Sequence, residues 1–217
     1  KGSQATFEIE ALYPGYGVTM GNSLRRVLLS SLEGAAVTHV KIKGVPHEFS
    51  TIDGVLEDVT SILLNIKQMR FRSFSQEPQK ATLKAKGEKK VEGSAFELPP
   101  QLELINKDIH IATLTTKKSE LEMELQVGKG IGYVPVEARK QDKQEIGSIA
   151  LDAIFTPVKR VSFKVDHMRV GERTDFDRLL LTLETDGTVT PQAAMLEASD
   201  ILVKQLEIVR QGAQETV

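Results

Sequence analysis

Apolar residues recur at every second position near the start of the chain and at every third or fourth just after it. In 5–12, Phe7 and Ile9 share one side and Thr6, Glu8 and Glu10 the other, the alternation of a half-buried strand. Pro14, Gly15, Tyr16 and Gly17 interrupt it. A helix is predicted over about 21–33, with Leu24, Val27, Leu28, Ser31 and Leu32 as its buried stripe and Gly34 suited to a left-handed C-cap. A strand over 36–43 follows. Asp53 is placed to cap a second helix over about 55–68, where Val55, Val59, Ile62, Leu63 and Ile66 keep helical spacing.

From 69 to 127 the period changes to two. Leu121, Met123, Leu125 and Val127 alternate with Glu120, Glu122, Glu124 and Gln126, which predicts one buried face and one acidic, wet face. The stretch 137–145 is charged and aperiodic, and reads as a mobile surface loop. Val161, Phe163 and Val165 mark another strand. Leu179, Leu181 and Leu183 mark one more, ending at the turn pair Asp186 and Gly187. Thr190 and Pro191 then supply an N-cap and a first-turn proline for a last helix running to about Arg210. In that helix Met195, Ala198, Leu202, Leu206 and Val209 form one apolar line, and Ala194, Ile201 and Ile208 another. The combined arc is wider than one sheet face requires, which fits either a deeply buried terminal helix or one that also meets a second subunit.

Composition narrows the chemistry. The 217 residues carry 28 Lys+Arg against 30 Asp+Glu, a net charge of −2. That balance gives no electrostatic case for nucleic acid or an anionic membrane as the main partner. Cysteine is absent, which excludes disulfides, thiolate metal sites and thiol nucleophiles. No apolar run approaches the ~18 residues of a membrane span, so a soluble intracellular protein is expected.

Candidate catalytic residues are sparse. His39, His47, His110 and His167 are scattered and make no HExxH or i, i+4 pair. Asp175 and Asp177 form a DxD string, for which turn chemistry is the simpler reading than a metal pair. Ser30 and Ser31 have no GxSxG elbow around them. Gly128, Gly130 and Gly132 are followed by no helix, so a hairpin or bulge is expected there. Gly15, Gly17 and Gly21 lie between a strand and a helix, which keeps a nucleotide-binding loop as an alternative. Against it, the spacing is GxGxxxG and the flanking strand alternates instead of being continuously apolar. On the same helix Arg25 and Arg26 sit beside Leu29 away from the core stripe, a pattern that fits a protein interface or an ordinary solvated face.

Specific strings then carry a resemblance. GYGVTMGNSLRRVLLSS, HEFSTIDGVLED, GYVP, LDAIFTPVKRVSFKV and RVGERTDFDRLLLTLETDGTVTP, in this order, resemble the N-terminal domain of the bacterial RNA polymerase alpha subunit. The likeness covers nearly the whole chain and is loose only over 75–110 and 137–147. It implies an α+β fold: a discontinuous dimerisation domain of two helices and an antiparallel sheet from 1–34 and 154–217, with an inserted mostly β domain at 35–153. It implies a non-catalytic assembly scaffold that forms a homodimer and recruits the beta and beta-prime subunits, with no cofactor of its own and magnesium in the partner catalytic subunit. A dimeric adaptor outside transcription is the remaining alternative beside the nucleotide-binding enzyme.

By the same resemblance the dimer interface would include Leu28, Leu32, Ile201, Leu202, Leu206 and Val209. The beta subunit would meet Arg25, Arg26 and Leu29 together with His47, Glu48, Phe49, Ser50 and Thr51. The beta-prime subunit would lie toward Lys67, Leu151 and Asp152. The family's separate promoter-reading domain matches nothing in this sequence, so no specific DNA contact is assigned to these residues, and a cytoplasmic, nucleoid-associated protein is expected.

Overall fold

Leu179, Leu181 and Leu183 line one face of a central strand, and that face organises the first of two units. The computed structural model describes residues 2–139 and 147–214. The chain divides into Lys1–Leu32 with Thr156–Val217, and Glu33–Phe155 between them. The amino-terminal piece supplies β1 (Gln4–Leu12) and α1 (Tyr16–Ser30). The middle supplies β2 (Glu33–Ile42), α2 (Val59–Lys67), β3 (Phe71–Ser73), β4 (Gln79–Lys86), β5 (Lys89–Glu92), β6 (Phe96–Glu97), β7 (Leu102–Leu104), β8 (His110–Leu114), β9 (Glu120–Ile131), β10 (Tyr133–Val134), β11 (Ser148–Ala150) and β12 (Ala153–Ile154). The carboxyl-terminal piece supplies β13 (Val158–Val170), β14 (Arg173–Thr185) and α3 (Pro191–Gln214). The fold is therefore mixed α+β, with the β-rich segment inserted into a helix-and-sheet unit.

In the first unit the strand order is β1-β14-β13, antiparallel throughout. Register aligns Phe7 and Phe163 with Leu181, Ile9 and Val165 with Leu179, and Ala5 and Val161 with Leu183. Leu24 and Leu28 of α1 and Ala194 and Ala198 of α3 close this apolar face, with Leu181 and Leu183 in the same cluster. Thr190 caps α3, its Oγ1 accepting from the Ala193 N–H at 3.2 Å.

In the second unit, β4, β9 and β2 form the centre of the larger sheet. Leu121, Met123, Leu125 and Val127 are buried as the alternation predicts. Their core also holds Val59, Ile62, Leu63 and Ile66 of α2. The acidic face is not simply wet. Glu120 pairs with Lys86 at 2.8 Å, Glu122 with Lys43 at 3.0 Å and Glu124 with Lys80 at 2.7 Å, a cross-strand charge ladder.

Several local expectations are corrected. The first helix starts at Tyr16 instead of Gly21 and ends at Ser30. Gly34 is not its C-cap: it lies in β2, opposite Gly130. The second helix begins after Asp58, not Asp53, and Val55 instead bridges to Leu114. Asp175 and Asp177 lie within β14, not in a turn before it. Gly128 and Gly130 continue β9 as a paired strand, and only Gly132, at φ 65°, turns. A side chain at 130 would strike the Phe155 ring, with Cβ only 2.6 Å from Cε2. The last helix extends to Gln214. Of the stretch 137–145, Glu137 and Ala138 close a short 3-10 turn, Val136–Ala138, while 140–145 lies outside the described residues. Among the described residues no helix is long and apolar enough to cross a membrane.

Candidate protein-docking surfaces

The strand-to-helix loop at 15–21 is filled by the protein's own chemistry. Gly15 adopts φ 86°, a left-handed conformation that only glycine takes without strain. This bend aims the first backbone N–H groups of α1 at Asp177 on β14. Gly15 N–H and Gly17 N–H both donate to Asp177 Oδ2, at 2.9 and 3.0 Å. Asp177 is only 3% exposed, and His167 Nδ1 lies 3.4 Å from its other oxygen. A carboxylate thus occupies the helix N-terminus, where a nucleotide phosphate would bind. Gly21 has a different reason: an added Cβ would fall 2.7 Å from Phe163, so glycine lets α1 lie against β13. The nucleotide-loop alternative gives way to a helix cap.

The helices of the first unit present two kinds of surface. Arg25 and Arg26 are exposed on α1, and neither makes an ion pair within the chain among the described residues. Leu29, half-buried, packs at the edge of the core. Leu28 and Leu32, assigned to a dimer interface by the resemblance, are instead 0% and 1% exposed within the unit's own core, so they offer no outer surface. Ile201 and Leu202 are half-covered. Beyond them α3 loses its cover: Leu206 is 63% and Val209 68% exposed, with Val203 and Ile208 also open. Every described residue from 203 to 214 is exposed. An apolar stripe of this kind marks an interaction surface.

In the second unit the segment 47–58 is built as a pinned loop. Ser50 N–H donates to the His47 carbonyl at 3.2 Å, and Ser50 Oγ lies 3.2 Å from His47 Nδ1. Thr60 Oγ1 donates to the Glu48 carbonyl, and Val59 N–H to the Ser50 carbonyl. The acids that close the motif are used internally. Asp58 caps α2, its Oδ1 accepting from Ser61 N–H at 2.7 Å, and the Ser61 side chain first and this N–H second hold its carboxyl below the usual range. Glu57 Oε2 accepts from the Thr113 N–H at 2.6 Å, and Oε1 lies 2.7 Å from His110 Nε2. Burial pushes the Glu57 carboxyl up, but the His110 and Thr113 hydrogen bonds outweigh it and leave it lowered. The Gly54 carbonyl accepts from Thr115 N–H and Ser119 Oγ. This loop projects Phe49, 81% exposed, with Leu56 also open. Thr51 is exposed and Glu48 half-buried.

Lys67 and Asp152, distant in sequence, meet in the same unit. Lys67 Nζ lies 3.4 Å from Asp152 Oδ2, and Asp152 Oδ1 accepts from the Val136 N–H at 3.1 Å. Leu151 is turned inward, buried in the core, with its N–H donated to the Thr38 carbonyl at 2.9 Å. The Arg139 guanidinium donates to the carbonyls of Thr38 and Leu151. Burial lowers the Arg139 pKa, and burial followed by the Arg139 charge lowers that of His39. Sequence reasoning missed Val136 and Arg139 here, because their partners, Asp152, Thr38 and Leu151, lie far along the chain. Glu57 and the capping role of Asp177 were also missed, since their partners lie 53 to 162 positions away.

Other candidate chemistry resolves into local structure. Asp175 pairs with Arg173 at 2.8 Å, so the DxD acids serve an ion pair and a cap. Among the described residues no group of three or more His, Cys, Asp or Glu is placed to hold a metal.

Comparison with known proteins bears on these surfaces. Residues 40–156 match the model of the RNA polymerase Rpb3/RpoA insert domain. The chain is 51% identical over 203 residues to the DNA-directed RNA polymerase subunit alpha of Herpetosiphon aurantiacus, covering 94% of this chain and 61% of that one. It is 48% identical over 198 residues to the subunit of the same name from a Roseiflexus species, covering 91% and 61%. The corresponding subunit of Symbiobacterium thermophilum is 48% identical over 206 residues, covering 95% and 65%. The chain thus spans about three fifths of the length of these relatives.

Proposed function

The chain belongs to the bacterial RNA polymerase alpha-subunit family, and from that premise we propose that it is an assembly scaffold for the DNA-transcribing enzyme. Two copies pair, and the pair recruits the beta and beta-prime subunits, which hold the catalytic residues and the magnesium. This chain contributes surfaces, not chemistry, and no cofactor of its own. It works in the cytoplasm, associated with the nucleoid through its partners, and makes no specific DNA contact itself.

The observation that carries this reading is the open apolar half of α3. Val203, Leu206, Ile208 and Val209 stand open among the described residues, and a second copy of the same helix is the self-complementary way to bury them. A stable pairing should bury about 1,200 Å² or more in total. The arginines of α1 and the pinned loop at 47–51 are then free to serve the beta subunit. Phe49 supports this as an exposed aromatic anchor on a rigid base, and Arg26 as an exposed guanidinium with no ion pair among the described residues. The elements around Lys67, Leu151 and Asp152 serve beta-prime.

Sedimentation of the isolated chain at micromolar concentration tests the first step. A dimer is expected, and a monomer across that range would contradict it. Co-expression with each large subunit, followed by affinity capture, tests recruitment.

A further inference from the structure

Resting on the assembly reading, we infer that Lys67 and Asp152 act on the beta-prime surface as positioning residues, an internal latch that fixes the segment 133–139, and not as contacts themselves. Both carboxylate oxygens of Asp152 are already engaged within the chain. Oδ1 takes the Val136 N–H at 3.1 Å and Oδ2 takes Lys67 Nζ at 3.4 Å. The Val136 N–H, and then Lys67, hold the Asp152 carboxyl below its ordinary range despite partial burial. Lys67 is the last residue of α2, so the ion pair ties the end of a helix whose other end is capped by Asp58 to an otherwise irregular segment.

The far end of the segment is fastened independently. Arg139 reaches the Thr38 carbonyl at 3.2 Å and the Leu151 carbonyl, and its Nε is buried without a partner. An arginine is thus used to anchor backbone from inside. Leu151, between these fastenings, is in the core. All three residues that the resemblance directs toward beta-prime are therefore turned into one construction. Its outward part is a different set: Tyr133 and its cross-strand neighbour Ile154 are exposed, with Ile131 beside them. The latch sets the position of β10, and β10 with β12 presents the surface.

Four forms of the chain, each co-expressed with the large subunits, separate the two roles: wild type, Asp152→Ala, Asp152→Asn and Ile154→Ala. Two quantities are read: hydrogen exchange at the Val136 amide, and capture of beta-prime. Asp152→Ala should speed exchange at Val136 and weaken capture by roughly tenfold each, since it removes hydrogen bonds to a charged acceptor. Asp152→Asn keeps an acceptor oxygen and should stay within about threefold of wild type in both. Ile154→Ala should weaken capture with Val136 exchange unchanged. The inference is overturned if Asp152→Ala lowers capture while Val136 exchange stays at the wild-type rate, or if Asp152→Asn loses capture as fully as alanine. If wild type captures neither large subunit, the assembly reading fails instead, and exchange at Val136 in Asp152→Ala still decides whether the latch exists.

Discussion

Arg26 is the residue on which the partner assignment turns. It shares α1 with the buried Leu24 and Leu28 but stands exposed, so truncation removes no core volume. A guanidinium makes planar, bidentate contacts that lysine cannot copy. Arg26→Ala should therefore dimerise like wild type yet capture the beta subunit about thirtyfold more weakly, a loss near 2 kcal/mol, and Arg26→Lys should restore little. Co-purification checks this, and unimpaired capture would show the placement to be wrong. Asp177 carries the opposite kind of role. Its buried carboxylate satisfies two N–H groups at the start of α1. Asp177→Ala should cost about 2 kcal/mol in urea unfolding, whereas a variant as stable as wild type would mean the cap contributes nothing. Acid should act through Glu57, Asp58 and Asp152, all held below their ordinary values. Each adds stability that is complete above its unfolded pKa, 4.5 for Glu57 and 3.8 for the aspartates, and is lost as pH falls through the lower folded value. Urea midpoints should thus hold steady down to about pH 5 and decline below it, with a shallower decline in Glu57→Gln. A midpoint unchanged from pH 6 to about pH 3 would contradict the assignment.

At the scale of elements, the parts legible in the sequence were those set by local periodicity. The alternation of 121–127, the leucines of 179–183 and the Thr190–Pro191 start of α3 all read correctly, because each depends on neighbours within a few positions. Helix starts did not. Tyr16 and Val18 are exposed and add nothing to an apolar stripe, so the first turn of α1 is silent in the pattern. Its start is fixed by Gly15 and by Asp177 far along the chain. Asp53 is displaced as the cap because Val55 bridges to Leu114, which delays the helix until Asp58 caps it through Ser61 N–H. The candidate surfaces divide in the same way. Phe49 and the arginines of α1 belong to specific strings, whereas the resemblance directs Leu28 and Leu32 to a dimer interface although the helical spacing puts them on the buried stripe, and the unit's own core covers them. The corrected boundary sharpens the dimer test. Leu206 and Val209 lie beyond the covered part of α3, so Leu206→Glu with Val209→Glu should yield folded monomers with a melting temperature set by the chain alone. Charge placed in a buried interface is costly, but here no core is touched. A charged double variant that still sediments as a dimer would remove α3 from the interface.

For the whole molecule, the two units divide the work. The helix-and-sheet unit offers the open end of α3 and the arginines of α1, while the inserted unit offers the pinned loop at 47–58 and the strands beside Asp152. The helix N-terminus that could hold a phosphate holds Asp177, and the DxD acids are engaged elsewhere. In the proposed assembly, identical copies pair first and then take up different large subunits. Native mass spectrometry of the chain mixed with purified beta and beta-prime subunits measures this directly. One dominant assembly is expected, with two copies of this chain and one of each large subunit. An assembly with a single copy of this chain, or a dimer that takes up neither large subunit, would contradict it.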